Sequence, residues 1–132
     1  MPRLNLDPRT PAHFRVMRET LGISNADIAR ILDVSDRSVH KWNFTITAPD
    51  AAWEILDEQA ERVQGSVDEL LARAERQGEG EPVVLRVYPS DETAEAAGVP
   101  MPASWHRAAA GIAALALEGE GYRVEMVYPP RD

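Results

Sequence analysis

Side chains that suit contact with nucleic acid are concentrated in one short stretch, ILDVSDRSVHKWN, at residues 31–43. The guanidinium of Arg37 matches the two acceptors on the major-groove edge of guanine, and Lys41 suits either guanine or a phosphate. Asp36 has two possible roles: it complements the helix dipole if it lies in a first turn, or it accepts a hydrogen bond from the cytosine amino group. The stretch predicts a helix that reads DNA, and we favour the dipole role for Asp36.

Three short helices are predicted to position this stretch. The pair Thr10–Pro11 is typical of a helix start, and apolar residues spaced by three and four extend that helix to about Thr20, with Gly22 as its stop. Ser24 begins a capping pattern for a second helix, and Ser35 caps a third. The helices are expected to be complete by residue 43.

A helix-turn-helix is therefore predicted over residues 24–43. The first helix of that motif crosses the DNA backbone and the second lies in the major groove, so the angle between them has to be fixed. A small residue at the crossing and an apolar cluster beneath both helices would fix it. The residues predicted to do this are Ile28, Ala29, Leu32, Val34, Val39 and Trp42. An ordinary helical hairpin is the alternative.

The remainder of the chain predicts more helix and then a small region with strands. An amphipathic helix is expected over residues 52–63, and a break or kink at Gly65 before helix resumes at 67–77. The segment GEGEP at 78–82 indicates a linker.

Beyond the linker, VVLRVY at 83–88 and YRVEMVY at 122–128 predict two strands. A proline-rich loop and a helix from about Ser104 to Leu117 are expected between them. The predicted fold is mainly α with a small C-terminal α+β part. Its domains are a helix-turn-helix bundle of four to five helices at 1–64, a connecting helix and linker at 65–81, and a strand-helix-strand dimerisation region at 82–132.

The formal net charge of -8 is unevenly distributed along the chain. Residues 1–48 contain seven Lys or Arg and five acidic residues, whereas residues 49–132 contain seven and seventeen. The first part can present a cationic face to DNA, and the acidic remainder would orient the molecule as it approaches. Solubility alone is the alternative explanation of the asymmetry.

Composition narrows the function classes. The chain has no cysteine, which excludes disulfides, thiolate metal sites and a thiol nucleophile. The longest apolar run, at 108–117, is too short to span a membrane, and the amino terminus lacks the apolar segment of a signal peptide, so a cytoplasmic protein is expected. His13, His40 and His106 are dispersed and no phosphate-binding glycine loop is present, so we expect neither an enzyme nor a cofactor or metal.

Two stretches resemble known regulators. MRETLGISNADIARILDVSDRSVHKWN at 17–43 resembles the helix-turn-helix of the Cro and phage-repressor superfamily, also called XRE-like, and the similarity covers roughly residues 11–57. VVLRVYPSD at 83–91 and VPMPASWHRAAAGIAA at 99–114 resemble the carboxy-terminal region of YdiL-like and anti-CRISPR-associated regulators, where such a segment mediates homodimerisation. The resemblance implies a dimeric repressor of its own operon, of the kind found in phages and mobile elements.

The resemblance also implies roles for individual residues. Base edges would be read by Asp36, Arg37, Ser38, His40 and Lys41. Phosphates would be contacted by Asn25, Arg18, Asn43, Thr45 and Thr47. For the residues of the loop after the third helix, simple solubility is an alternative to phosphate contact.

The sequence departs from the family pattern at several places. Asp33 stands where many relatives have glycine, so the turn has to accept a left-handed aspartate or take another shape. Asn43 stands where many relatives have a glutamate that would pair with an arginine at the position of Arg18, so Arg18 is expected either to hydrogen-bond Asn43 or to meet a phosphate. The loop to Pro49 lacks the usual basic residues. One copy would therefore bind DNA weakly.

Dimerisation would compensate for weak binding by one copy. Two recognition helices about 34 Å apart meet successive major grooves, which predicts an inverted-repeat operator. Two strands alone do not make a stable sheet, so pairing with a partner's strands would complete one. The residues predicted to join two copies are Trp105, Ala108, Ala109, Ile112, Leu115, Val124 and Met126. Alternatively, the helix covers only its own sheet.

Taken together, the sequence predicts a homodimeric repressor that binds double-stranded DNA and needs no ligand or cofactor. Two other functions stay open: an antitoxin whose C-terminal half binds a cognate toxin, and a protein-interaction adaptor that no longer reads DNA. Trp105 and His106 suit a ligand pocket, although an interface anchor beside a solvated histidine is favoured. The acidic residues Asp91, Glu92 and Glu95 suit a cation site, although a solvated loop is favoured.

Overall fold

In a computed structural model, residues 9–78 and 80–130 are described, and they form six helices and two strands. The elements are α1 (Pro11–Thr20), α2 (Asn25–Leu32), α3 (Asp36–Trp42), α4 (Asp50–Gln77), β1 (Val83–Arg86), α5 (Asp91–Ala96), α6 (Ala103–Gly119) and β2 (Val124–Val127). Two compact units are present, the first ending at Glu58 and the second beginning at Gln59, within α4. The prediction of a mainly helical chain with a small sheet is confirmed.

The starts of the first three helices follow the capping signals of the sequence. The Thr10 hydroxyl accepts a hydrogen bond from the backbone N–H of His13 at 3.2 Å. Ser24 and Asp27 form a reciprocal capping box, and the Ser35 hydroxyl accepts from the N–H of Ser38 at 3.1 Å. Because each side chain satisfies a backbone donor that the helix leaves unpaired, the helix starts are fixed locally.

The core of the first unit is centred on Phe14, whose side chain is fully buried. Its ring makes edge contacts with Trp53, at 5.4 Å between centroids, and with Trp42, at 6.4 Å. Of the six residues predicted to form the core of a helix-turn-helix, Ile28, Ala29 and Val39 are buried and Leu32 and Trp42 are half-buried. Val34, which follows the turn, is 39% exposed and lies at the surface, contrary to expectation.

Helix α4 is continuous, so the predicted break at Gly65 is wrong. The capping pattern that begins at Ser66 is not used. The apolar face carried by Val63, Val67 and Ala74 crosses the glycine without losing its helical spacing, and all three residues are buried. Continued burial of one face outweighs the small helix propensity lost at a single glycine.

The second unit is built on a parallel pair of strands. β1 and β2 pair in the register Val83 to Val124 through Arg86 to Val127, and the connection between them contains α5 and α6. Val83, Leu85 and Leu117 are buried together in its core.

A short helix, α5, lies where the sequence predicted a solvated loop. Ser90 caps it through a capping box with Thr93. Asp91 has a structural role, because its carboxylate accepts a hydrogen bond from the backbone N–H of Ala103 at the start of α6, at 2.8 Å. Glu92 and Glu95 are exposed, and no group of three or more potential metal ligands occurs in the part of the chain that the structure describes. Nor is any helix within that part both long and apolar enough to cross a membrane.

Candidate nucleic-acid interface

The turn between α2 and α3 is made by an aspartate in the left-handed conformation. Asp33 has φ of 55° and ψ of 51°, and its backbone N–H and that of Val34 both bond to the carbonyl of Ala29. This is the first of the two shapes that the sequence allowed for the turn at this position. Aspartate is among the few side chains that occupy this conformation with modest strain.

Helix α3 has an inward face and an outward face. Val39 is fully buried on the inward side, and Trp42 is half-buried there. The outward side carries Arg37 and Lys41, which lie one turn apart and are both exposed. Neither side chain makes an ion pair or hydrogen bond with the residues that the structure describes. Both cations are therefore free to contact a ligand.

The other predicted base-reading residues flank these cations. Asp36 and His40 are exposed on the same helix. Ser38 is half-buried, and its hydroxyl lies 3.0 Å from the Ser35 hydroxyl, which places it within the cap of the helix. Asp36, Arg37, His40 and Lys41 thus share an open surface, whereas Ser38 is engaged by the protein.

Three residues predicted to contact phosphate form a polar network inside the first unit. Asn43 is only 3% exposed, and its amide nitrogen donates to Asn25 Oδ1 at 2.9 Å and to the carbonyl of Val39 at 2.8 Å. Arg18 Nε donates to Asn43 Oδ1 at 3.0 Å, and Arg18 Nη1 donates to the carbonyl of Ile23 at 2.9 Å. This network ties α1, α2 and α3 together, and the side chain of Asn43 is turned away from any surface.

The side chain of Arg18 is half-buried and is held by neutral partners. Burial lowers the pKa of Arg18, while the nearby Glu19 carboxylate opposes that change. A guanidinium stays protonated in proteins even so, because its usual pKa lies far above neutrality. Of the two roles that the sequence left open for Arg18, the structure shows the hydrogen bond to Asn43.

The loop after α3 contains an exposed aromatic residue that the sequence analysis missed. Phe44 is 51% exposed, with the His40 ring centroid 4.8 Å away and the Arg15 guanidinium 4.9 Å from its own centroid. Thr45 and Thr47 in the same loop are exposed, as phosphate contacts require, although Thr45 Oγ1 is 3.5 Å from the Lys41 carbonyl. The signal that could have revealed this residue is an aromatic side chain within the otherwise mostly polar stretch NFTIT at 43–47.

Other cations of the first unit are already paired. Arg9 binds Asp57 at 2.8 Å, and Arg30 lies 3.4 Å from Asp27. Arg15 is 3.4 Å from Glu19, in addition to its contact with Phe44. These pairs leave Arg37 and Lys41 as the more available positive charges near the start and end of α3.

The residues predicted for dimerisation fall into three groups. Trp105 is buried in the core of its own unit. Leu115 and Met126 are 74% and 45% exposed. The half-buried residues are Ala108, Ala109, Ile112 and Val124. The expected anchor is therefore internal, and the exposed apolar surface is offered by the later part of α6 and by β2.

Comparison with models of known protein families finds no match for this chain, and comparison with curated proteins finds none either.

Proposed function

We propose that the protein is a homodimeric, sequence-specific DNA-binding repressor of the XRE-like type that regulates its own operon. The observation that carries the proposal is the open face of α3, where Arg37 and Lys41 are exposed and without ionic partners in the described part of the chain. Both are fixed on a rigid helix whose start is capped and whose inner face is buried.

The chemistry of this face suits base recognition with supporting phosphate contact. A guanidinium donates two parallel hydrogen bonds to guanine O6 and N7, and a lysine ammonium reaches guanine or phosphate. The Arg18–Asn43–Asn25 network holds the three helices, so the face would meet DNA with little reorganisation. The exposed side chains of Thr45 and Thr47 would meet the backbone beside it.

Repression would follow from occupation of a promoter by two copies. Exposed apolar residues on α6 and β2 provide a surface for a second chain. Two reading helices related by a twofold axis require an inverted repeat, with half-sites about one helical turn apart. Occupation of that repeat would exclude polymerase without any cofactor.

A footprint on the DNA upstream of the gene tests the proposal. We expect the purified protein to protect an inverted repeat, and Arg37→Ala and Lys41→Ala each to weaken binding by about 1 to 3 kcal/mol. The two variants should have different effects. Arg37→Ala should relax the sequence preference at one base pair. If Lys41 contacts a phosphate, Lys41→Ala should weaken binding to all sequences and reduce the salt dependence of binding.

The matched control is Arg73→Ala on α4, an exposed arginine with no ionic partner in the described part of the chain. It should leave the footprint unchanged. No protected site in the wild-type protein, or equal losses in all three variants, would contradict base reading by α3.

A further inference from the structure

The second unit contains a cavity of about 480 Å³ whose lining is rich in arginine. It is formed by one face of α4, by β1 and by the first part of α6, all within the unit that begins at Gln59. Its volume falls within the range of about 300 to 1,000 Å³ that is usual for small-molecule sites.

Four of the lining residues are arginines, and one is acidic. Arg62, Arg73 and Arg76 follow the lining face of α4 at helical spacing, and Arg86 projects from β1; Glu69 is the acidic residue. From Gln59 onward the sequence has seven arginines, no lysine and thirteen acidic residues. More than half of the arginines of an acidic region therefore line one cavity.

Three of these arginines are not paired with acidic residues in the part of the chain that the structure describes. Arg73, Arg76 and Arg86 make no ion pair or hydrogen bond with the residues described here, although several carboxylates lie on the same helix. All three are exposed, so they form the rim of the cavity. Unpaired guanidiniums around a concave surface attract carboxylate and phosphate groups, which they bind through paired N–H donors.

Below the rim, the cavity has polar groups in defined positions. Gln59 is fully buried; its amide nitrogen lies 3.5 Å from Met101 Sδ, and its oxygen accepts from Arg62 at 3.3 Å. Gln59 thereby orients one of the four arginines. His106 also lines the cavity, and its buried Nδ1 has no hydrogen-bond partner among the described residues. Burial lowers the pKa of His106, which favours the neutral ring, and a neutral imidazole offers one donor and one acceptor.

The rest of the lining is apolar. Leu70, Val84 and Ala109 contribute side chains that are partly open to the cavity, and Val63 and Leu85 are buried beneath it. A small inorganic anion would leave this surface uncovered. An organic molecule with an apolar body and an anionic group would use both the wall and the rim.

We propose that this cavity binds a small organic anion, with its phosphate or carboxylate held by Arg62, Arg73, Arg76 and Arg86 and its apolar part held against α4, β1 and α6. Binding of this anion would be a second binding activity of the protein, and the proposed contact of α3 with DNA does not require it. The proposal does not depend on DNA reading by α3, because every lining residue belongs to the second unit and α3 to the first.

Titration calorimetry of the full chain tests the site with defined probes. Phenyl phosphate and phenylacetate combine an aromatic body with each type of anion. Inorganic phosphate lacks the body, and benzyl alcohol lacks the charge. We expect at least one of the two aromatic anions to bind with one site per chain, at least tenfold more tightly than inorganic phosphate and benzyl alcohol. The preferred aromatic anion then identifies the head group.

The double variant Arg73→Gln/Arg76→Gln should weaken that binding at least tenfold and leave the operator footprint unchanged. The matched control Arg37→Gln, on the outward face of α3, should bind the probe normally and lose DNA affinity. Because the glutamine variants alter exposed side chains, circular dichroism should show an unchanged helix content. Chemical-shift changes on titration of the wild-type protein provide a second test, and they should cluster at Ser66, Leu70 and Ala109.

Several results would overturn the proposal. One is the absence of binding by both aromatic anions, and another is equal binding of benzyl alcohol. A third is probe binding that survives Arg73→Gln/Arg76→Gln but is lost in Arg37→Gln. Two further outcomes apply if neither aromatic anion binds the wild-type protein. If the arginine variants then abolish binding of an RNA oligonucleotide, the cavity binds a polymer backbone. If they convert a dimer to a monomer, the cavity binds a second copy of the chain.

Discussion

At the scale of single residues, Asp36 is the first residue of α3, and its carboxylate is exposed. The hydrogen-bonding part of the cap is supplied by Ser35, whose hydroxyl accepts from the N–H of Ser38. Within the protein, what is left for Asp36 is the favourable interaction of a negative charge with the helix dipole. We expect Asp36→Ala to lower the free energy of unfolding by about 0.3 to 1 kcal/mol, measured by urea denaturation.

The same variant separates the two roles of Asp36. If its stability is unchanged and the operator preference broadens at one base pair, the carboxylate reads cytosine, and the dipole role is wrong. Asp36→Asn serves as the companion variant, because it removes the charge while keeping the size of the side chain. Under the dipole role, both variants should lose similar stability and keep the same sequence preference.

Asn43 provides a second residue-scale prediction. Asn43→Ala removes the acceptor for Arg18 and the donor to Asn25 and Val39, so it leaves buried polar groups unsatisfied. We expect the free energy of unfolding to fall by about 2 to 3 kcal/mol. The control is Thr47→Ala in the exposed loop, which should change it by less than about 0.5 kcal/mol. Equal small losses in a denaturant titration would show that the network does not stabilise the unit.

The residue scale also shows what sequence could and could not predict. The caps at Thr10, Ser24 and Ser35 depend on neighbours three residues away, and all three were predicted. The interior position of Asn43 depends on its hydrogen bonds with Asn25 and Arg18, which lie 18 and 25 positions earlier in the chain, respectively. An asparagine that follows a helix is typical of a polar surface. The sequence therefore indicated an interior Asn43 only indirectly, through the hydrogen bond to Asn43 that was one of the two roles open to Arg18.

At the scale of elements, the continuity of α4 leads to a stability prediction at Gly65. The residue is exposed in the middle of a helix, and a Cβ added there would meet no atom within 4 Å. Alanine has a higher helix propensity and reduces the freedom of the unfolded chain. We expect Gly65→Ala to raise the free energy of unfolding by about 0.5 to 1 kcal/mol.

A matched control exists at the end of the same helix. Gly78 follows Gln77 and has φ of +84°, a conformation that alanine adopts with strain. Gly78→Ala should therefore destabilise the protein by about 1 kcal/mol, although the added carbon also meets no atom. If Gly65→Ala destabilises as well, α4 is interrupted in solution as the sequence alone suggested.

The elements differ in how well the sequence predicts them. The two strands and α6 have strong apolar patterns, and their predicted positions agree with the structure to within a few residues. The predicted break at Gly65 is wrong because a local glycine and serine signal competes with an apolar face that is buried on both sides of the glycine, in a helix of 28 residues. Helix α5 was missed because it has six residues, too few to show a helical period.

At the scale of the whole molecule, charge is unevenly distributed in two ways. Acidic residues are in excess in the later part of the sequence, and within that acidic part the arginines are concentrated in one place. The excess of acidic residues after residue 48 can be counted in the sequence, but such a count does not show that the arginines of this region lie close together. The folded second unit places four of them around one cavity. Their convergence requires α4 and β1 to be adjacent, and no motif in the sequence encodes that adjacency.

Helix α6 has more apolar surface than its own unit covers. Ala110, Ala113 and Leu117 are buried, whereas Leu115 is 74% exposed and Ile112, one turn earlier, is half-buried. A helix that is apolar on most of its circumference is typical of one that packs on two sides. This second apolar stripe is the physical reason to expect a partner chain at α6.

Substitution of Leu115 tests that expectation. Burying this side chain in both copies would contribute about 1.5 to 3 kcal/mol per copy, so Leu115→Glu should raise the dimer dissociation constant by about a hundredfold or more. Glutamate has good helix propensity, so α6 itself should persist. We expect light scattering over a range of concentrations to show a dimer for the wild-type protein and a monomer for the variant. Affinity for the proposed operator should fall because the half-sites are then bound separately.

The control for Leu115→Glu is Val16→Glu on α1, which introduces the same charge at an exposed apolar residue, 58% exposed, in the first unit. It should leave the mass of the assembly unchanged. A wild-type monomer would remove the basis for paired half-sites, and a dimer that survives Leu115→Glu would place the interface away from the exposed stripe of α6. If both variants dissociate the dimer equally, added negative charge on an already acidic chain, and not the apolar contact of α6, is the cause.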